Sequence, residues 1–263
     1  MAETKYAGID TAKCPSSTVS AQLKGYGSGN SPTPFWYMGF YLGGCCFVGS
    51  GYGTTSYNYL TKQGWNLVPI WVSVQNSPCD TSTGTDKCPL PSTSEGISSA
   101  QYAADKATAV GFPAGSTIYL DVETSGTLTS EYIDFVTAWV SEIKYHSGYS
   151  AGIYCHPLQA KTLQSSIEAK NAGPAMWWVA NYLCPKTGEW LDSSGVCIVP
   201  TCTDPIDPTG NAPQPDSSGF SSATTWQYAG DVMISYNGAC YEVDLDVSEF
   251  ANPGLLQSDP DTP

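Results

Sequence analysis

The chain is expected to fold as α/β, in an irregular TIM-like (β/α) barrel with eight strands and fewer helices, and three observations predict it. Short apolar runs alternate with helical patterns along most of the sequence, as in parallel strands joined by crossover helices. About eight such runs occur, which suits a closed ring better than an open sheet. Acidic residues stand at the ends of several runs, where α/β folds carry their chemistry. The rival architecture is a doubly wound open sheet. It lacks support, because Gly49-Ser-Gly-Tyr-Gly53 has neither the context nor the basic residue of a phosphate loop.

Tyr6-Ala-Gly-Ile-Asp10 is a short first strand ending in an acid, and Ser17 or Thr18 can cap the helix after it. Phe35 to Leu42 is an apolar second strand. Tyr57 to Gln63 is a short helix stopped by Gly64. Asn66 to Val74 is a third strand, in which Pro69 fits poorly with pairing on both sides. A polar loop over 75–95 leads to an Ala-rich helix, Ile97 to Val110, ended by Gly111. Ser116 to Thr124 is the fourth strand. Residues two apart share a face. Ile118, Leu120 and Val122 therefore point towards a helix layer, and Tyr119, Asp121 and Glu123 point the other way. Thr129 or Ser130 starts an amphipathic helix to about His146, with Ile133, Val136, Trp139, Val140 and Ile143 as its stripe. Ser150–Cys155 is a fifth strand, Leu158 to Lys170 a helix, and Ala175 to Tyr182 a sixth strand. A Pro-, Gly- and Asp-rich insertion covers 184–222, a length that is functional or disulfide-stapled in most domains. Thr224 to Ala229 and Tyr241 to Val247 complete the strands. Residues 1–253 thus form one domain, and 254–263 read as a disordered tail.

With 24 acidic against 10 basic residues the net charge is −14, which argues against nucleic acid and anionic membrane partners. No stretch is long enough to span a bilayer. Eight Trp and 17 Tyr beside a 13% charged fraction suit a carbohydrate ligand and a secreted protein. Ten Cys in no Cys-x-x-Cys pattern, with only two His, indicate disulfides in an oxidising compartment rather than a metal site. Cys79 and Cys88 flank a short loop and are expected to pair. At least one bridge is expected among Cys184, Cys197 and Cys202. Cys45 and Cys46 are adjacent and should not bond to each other. The N-terminus lacks an apolar leader, so export is expected to have removed one.

Asp10, Asp121 with Glu123, and Asp244 with Asp246 all fall at strand ends and converge at one mouth of a barrel. Glycoside hydrolysis needs a carboxylic acid to protonate the leaving oxygen and a second carboxylate as base or nucleophile. Glu123, nearest the strand end and a methylene longer than Asp, is the candidate donor, with a pKa raised by burial. Asp121, deeper, is expected to be ionised. Asp10 or Asp244 flanks the sugar from the other side, and spacing leaves that choice open. Trp71, Tyr154, Trp178, Tyr182, Trp226 and Tyr228 are candidates for stacking on sugar rings. A Cys155-His156 dyad is excluded, because adjacent strand residues point apart. No Gly-x-Ser-x-Gly elbow is present.

Gly8-Ile-Asp10, Tyr119-Leu-Asp-Val-Glu123, Gly152-Ile-Tyr154, Trp178-Val-Ala-Asn-Tyr182, Trp226-Gln-Tyr228 and Val243-Asp-Leu-Asp246 occur in an order that resembles family 25 glycoside hydrolases, the muramidase type of lysozyme. Tyr37 to Leu42 and Leu67 to Trp71 are closer to the related glycoside hydrolase-like family. The resemblance spans nearly the whole chain. It implies cleavage of a β-1,4-linked amino-sugar glycan, peptidoglycan first and chitin-like polymers second. Glu123 would be the acid, with Asp10, Asp121 and Asp244 in support, and no cofactor would be needed. The expected partner is a cell-wall glycan, met by a secreted monomer. The alternative is a non-catalytic glycan-binding or cell-surface protein on the same barrel.

Overall fold

The computed structural model describes residues 5–25, 35–77, 79, 88–124, 126–182, 214–236 and 239–255. Eight strands close into a barrel in chain order: β1 (Tyr6–Asp10), β2 (Tyr37–Gly43), β3 (Asn66–Trp71), β4 (Thr117–Val122), β5 (Ser150–Cys155), β6 (Met176–Ala180), β7 (Thr225–Tyr236) and β8 (Ala239–Ser248). Among the described residues five helices pack outside: α1 (Ser17–Lys24), α2 (Thr54–Lys62), α3 (Thr93–Val110), α4 (Ser130–Glu142) and α5 (Pro157–Ala169). Among the described residues no α-helix follows β6.

One expectation is corrected. The ring is mixed, not all parallel: β8 runs antiparallel to both β7 and β1. No helix separates β7 from β8, so the chain cannot make the crossover that a parallel pair requires. Pro69 has the predicted effect. It faces Phe40 across β2, while the ladder to β4 begins only at Ile70 and Trp71. Helix α3 starts at Thr93 rather than at Ile97, because Ser92 Oγ accepts from Glu95 N at 3.2 Å. Thr129 caps α4, which passes into a wide turn over Ile143–Ser147.

The alternation in β4 holds on both faces. Ile118, Leu120 and Val122 pack with Ala100, Ala103, Phe135 and Val136 between sheet and helices. Tyr119 joins Tyr37, Val68, Ile70 and Trp178 in a second cluster that fills the barrel. Glycines make room for these rings. Gly8 lies opposite Tyr37 and Gly152 opposite Tyr119. A Cβ on Gly8 would fall 2.2 Å from the Tyr37 ring, and one on Gly152 2.5 Å from the Tyr119 ring. Gly152→Ala is therefore expected to destabilise the fold by about 1–3 kcal/mol through overpacking. The check is the urea midpoint, and an unchanged midpoint would mean that the ring has room to move.

The chain end is part of the fold up to Leu255, two residues past the expected boundary. Thr117 N donates to Gly254 O at 2.8 Å, and Tyr119 OH donates to Pro253 O at 3.2 Å. The expected Cys79–Cys88 bond is not made. Cys45 bonds Cys88 and Cys46 bonds Cys79, stapling the loop after β3 to the turn after β2. Cys184, Cys197 and Cys202 lie outside the described residues, as does the insertion up to residue 213. Its last part re-enters with a short turn at Pro215–Ser218.

Candidate active site

Asp10 ends β1, Asp121 is next to last in β4 with Glu123 just beyond the strand, and Asp244 and Asp246 lie on β8 opposite Asp10 and Gly8. The barrel brings these acids to one mouth. Asp10 is fully enclosed and accepts from Tyr41 OH at 2.8 Å and from Gln227 Nε2 at 2.7 Å. Gln227 Nε2 also reaches Asp244 Oδ2 at 3.3 Å, and its Oε1 accepts from Tyr154 OH at 2.7 Å and Tyr182 OH at 3.0 Å. Asp244 Oδ1 accepts from Asp231 N at 2.5 Å. One amide thus ties β1, β5, β8 and the Tyr182 segment together. Neither Gln227 nor Tyr41 stood out in the sequence, because neutral side chains give no charge signal.

The carboxyls do not have the expected states. Asp121 was expected to be ionised and Glu123 buried. Instead Asp121 is buried, and its Oδ1 has no hydrogen-bond partner among the described residues. Burial holds its pKa well above the usual carboxylate value, and the charges of Glu123 and Asp10 add to that. Glu123 is exposed at the lip. Its backbone N–H donates to Gln75 Oε1 at 3.0 Å, while Gln75 Nε2 donates to the Asp121 carbonyl at 3.0 Å, so Gln75 fixes the strand end. Burial also raises the Asp10 pKa, though its donors pull it back. Burial raises Asp246 further, with the charges of Asp10 and Asp244 next. Asp246 Oδ1 accepts from Trp178 Nε1 at 3.0 Å, and its Oδ2 has no partner among the described residues. The interaction between the two lowers the pKa of Asp10 and raises that of Asp246.

Three acids with folded-state pKa values above their unfolded value of 3.8 bind more protons in the native state. Their favourable contribution is complete below about 3.8 and is lost as pH rises through the folded values. The expected result is a thermal midpoint that falls from mildly acidic pH to pH 8, with a shallower fall in Asp246→Asn. Surface self-repulsion has the same sign, but about 0.5 M salt screens it and leaves the buried term. A midpoint that rises with pH in high salt would contradict this account. Lys24, whose pKa burial lowers to about 8, acts in the opposite sense and only above that pH.

Three hollows meet at Thr124, and Glu123 lines two of them. One of about 540 Å³ is lined by Glu123, Tyr154, His156, Asn181 and Tyr182. One of about 310 Å³ runs from Glu123 to Gln75 and the Cys46–Cys79 bridge. One of about 620 Å³ continues past His156 to Leu158 and Gln159. Of the six aromatic candidates, only Tyr154 and Tyr182 line this mouth, and Tyr182 is 42% exposed. The other four are enclosed and offer no face to a sugar. Trp71 points outward, its Nε1 donating to Ser99 Oγ on α3. Trp226 also packs outside the ring and donates to Asn181 O. Tyr228 is 1% exposed, and Trp178 fills the barrel beneath the mouth. Cys155 is buried while His156 caps α5, so the excluded dyad stays apart.

The sequence matches the model of the Rv2525c-like, glycoside hydrolase-like domain over residues 33–248. The chain belongs to this family. A search of curated proteins gives no match. Among solved structures, the family's likeness extends to an uncharacterised B. stearothermophilus protein (TM-score 0.57, 18% identity, 92% of this chain and 95% of that one). It extends also to the Tat-secreted Mycobacterium tuberculosis protein Rv2525c bound to L-tartrate (0.53, 12%, 93% and 95%). A third is a glycosyl hydrolase 25 of Streptococcus pneumoniae, a virulence factor participating in host cell invasion (0.50, 13%, 92% and 86%). At these identities the likeness is one of fold. A glycoside hydrolase-like barrel with family 25 neighbours is what they establish.

Proposed function

We propose that the protein is a secreted glycoside hydrolase of β-1,4-linked amino-sugar glycans, with peptidoglycan as first substrate and Glu123 as general acid. The observation that carries this is the position of Glu123. It is a carboxyl group that opens into two adjoining hollows at the mouth, beside a buried acid of raised pKa. Asp121, whose pKa its enclosure raises, favours its neutral form more than a free carboxyl does and so weighs less on Glu123 as a negative neighbour. Glu123 delivers its proton to the glycosidic oxygen, and Tyr154 and Tyr182 bound the sugar on the β5–β6 side. Asp244, half-buried and oriented by Gln227, is the second carboxyl of the mouth. In an acetamido sugar the substrate's own carbonyl can serve as the nucleophile, in which case one positioned acid suffices. Secretion accords with the disulfides and with the Tat-secreted relative.

The test is reducing-end release from purified peptidoglycan, with chitin oligomers in parallel. Release names the polymer. The second reading, a non-catalytic glycan binder, is favoured by one observation: the oxygens of Asp10 and Asp244 are already engaged by Tyr41, Gln227 and the Asp231 amide. Saturable binding of oligomers by wild type and Glu123→Gln alike, with no release from either polymer, would decide for it.

A further inference from the structure

Cys45, Cys46, Cys79 and Cys88 form one knot of sulfur rather than two separate bridges. All four Sγ atoms lie within 4.8 Å of one another. Across the two bonds, Cys79 Sγ is 3.1 Å from Cys88 Sγ, Cys46 Sγ is 3.6 Å from Cys88 Sγ, and Cys45 Sγ is 3.9 Å from Cys46 Sγ. In a tetrahedral tetrathiolate with metal–sulfur bonds of about 2.3 Å, neighbouring sulfurs stand about 3.8 Å apart. The non-bonded contacts of the knot already bracket that spacing.

We propose that these four cysteines are a convertible site: two disulfides when oxidised, and a tetrathiolate for one soft divalent cation, Zn²⁺ first, when reduced. Each disulfide takes two electrons and two protons from a dithiol reductant, which closes to its own cyclic disulfide. The cation then displaces the four thiol protons to solvent. Thiolate ligands select against Mg²⁺ and Ca²⁺. Half of the site is preorganised without any sulfur bond. The Cys45-Cys46 turn is pinned to the end of β3 by Val72 N to Gly43 O at 2.9 Å and Cys46 N to Val72 O at 3.3 Å. A Cβ on Gly44 would lie 1.9 Å from Val72 O, so the turn is packed flush against that strand. The site borders the 310 Å³ hollow through Cys46 and Cys79, which gives an ion a route in. Its spacing, two adjacent cysteines and two more 33 and 42 residues on from Cys46, matches no common zinc pattern and was not legible as one.

This inference does not depend on glycan cleavage. The experiment is anaerobic reduction of the full chain with a dithiol, removal of the reductant, and titration with Co²⁺ as a spectroscopic probe, then with Zn²⁺. The expected result is one tight equivalent with the intense visible bands of tetrahedral thiolate Co²⁺, bleached by Zn²⁺. Cys14→Ser should keep the spectrum, and Cys79→Ser should lose it. If reduction alone unfolds the chain, Zn²⁺ should restore its native tryptophan emission. A Cys79→Ser variant with the wild-type spectrum, or a reduced chain that neither binds Co²⁺ nor refolds with Zn²⁺, would overturn the proposal.

Discussion

Glu123→Gln should lower glycan turnover by about 10²–10⁴-fold, the usual contribution of a general acid, and leave the thermal midpoint unmoved. The two halves of this expectation have different causes. Gln keeps the shape and the backbone bond from Glu123 N to Gln75, but it has no proton of carboxylic acidity to give. The side chain is exposed, so its loss of charge costs the fold little. It should also ease the ionisation of Asp121, whose pKa the Glu123 charge helps to raise. Comparing initial rates with binding of the same oligomer separates the roles. A loss in kcat with binding kept fits an acid that acts on the leaving oxygen. Undiminished turnover would remove Glu123 from the chemistry.

Trp178→Ala should produce the largest loss of stability, about 3–5 kcal/mol for a fully enclosed Trp. The ring is wholly buried in the barrel interior. It meets Tyr119 edge-on at 5.5 Å and Tyr154 at 5.6 Å, so its removal leaves a cavity that touches both β4 and β5. It also removes the Nε1 donor to Asp246, a fully buried carboxyl. Trp178→Phe refills most of the volume without the donor. A denaturant midpoint for Phe that falls between Ala and wild type would apportion packing and hydrogen bond. If Ala and wild type unfold together, the interior cluster does not carry the barrel.

Strand faces were legible in the sequence because a half-buried strand writes its two environments in alternate letters. Asp121 is legible that way, Asp10 and Asp244 by their place at strand ends, and the closed ring brings the three to one mouth. The same rule, applied to Trp71 and Trp226, would have excluded them. Each is adjacent to a residue that faces inward, Ile70 and Gln227 respectively. Protonation states were not legible, since they depend on how deeply a carboxyl sits and on who donates to it. Asp121 and Glu123, two residues apart, ended on opposite sides of the solvent boundary. The direction of β8 has a signal in the sequence: Asn237-Gly238 is a dipeptide that favours a two-residue hairpin. Cysteine partners were not legible, because nearness along the chain does not decide bonding: Cys79 and Cys88, nine positions apart, lie side by side without being joined.

The first strand and the last are hydrogen-bonded neighbours: β1 pairs with β8, Tyr6 against Ser248. During synthesis, then, β1 leaves the ribosome long before its partner exists. At about 5–20 residues per second the wait is roughly ten to fifty seconds. For that interval one edge of β1 offers unpaired amides and carbonyls to any passing strand. A nascent chain of this kind cannot complete its ring domain by domain. It should depend on being shielded until the final segment emerges, and truncations before β8 should accumulate as aggregates rather than as smaller folded units.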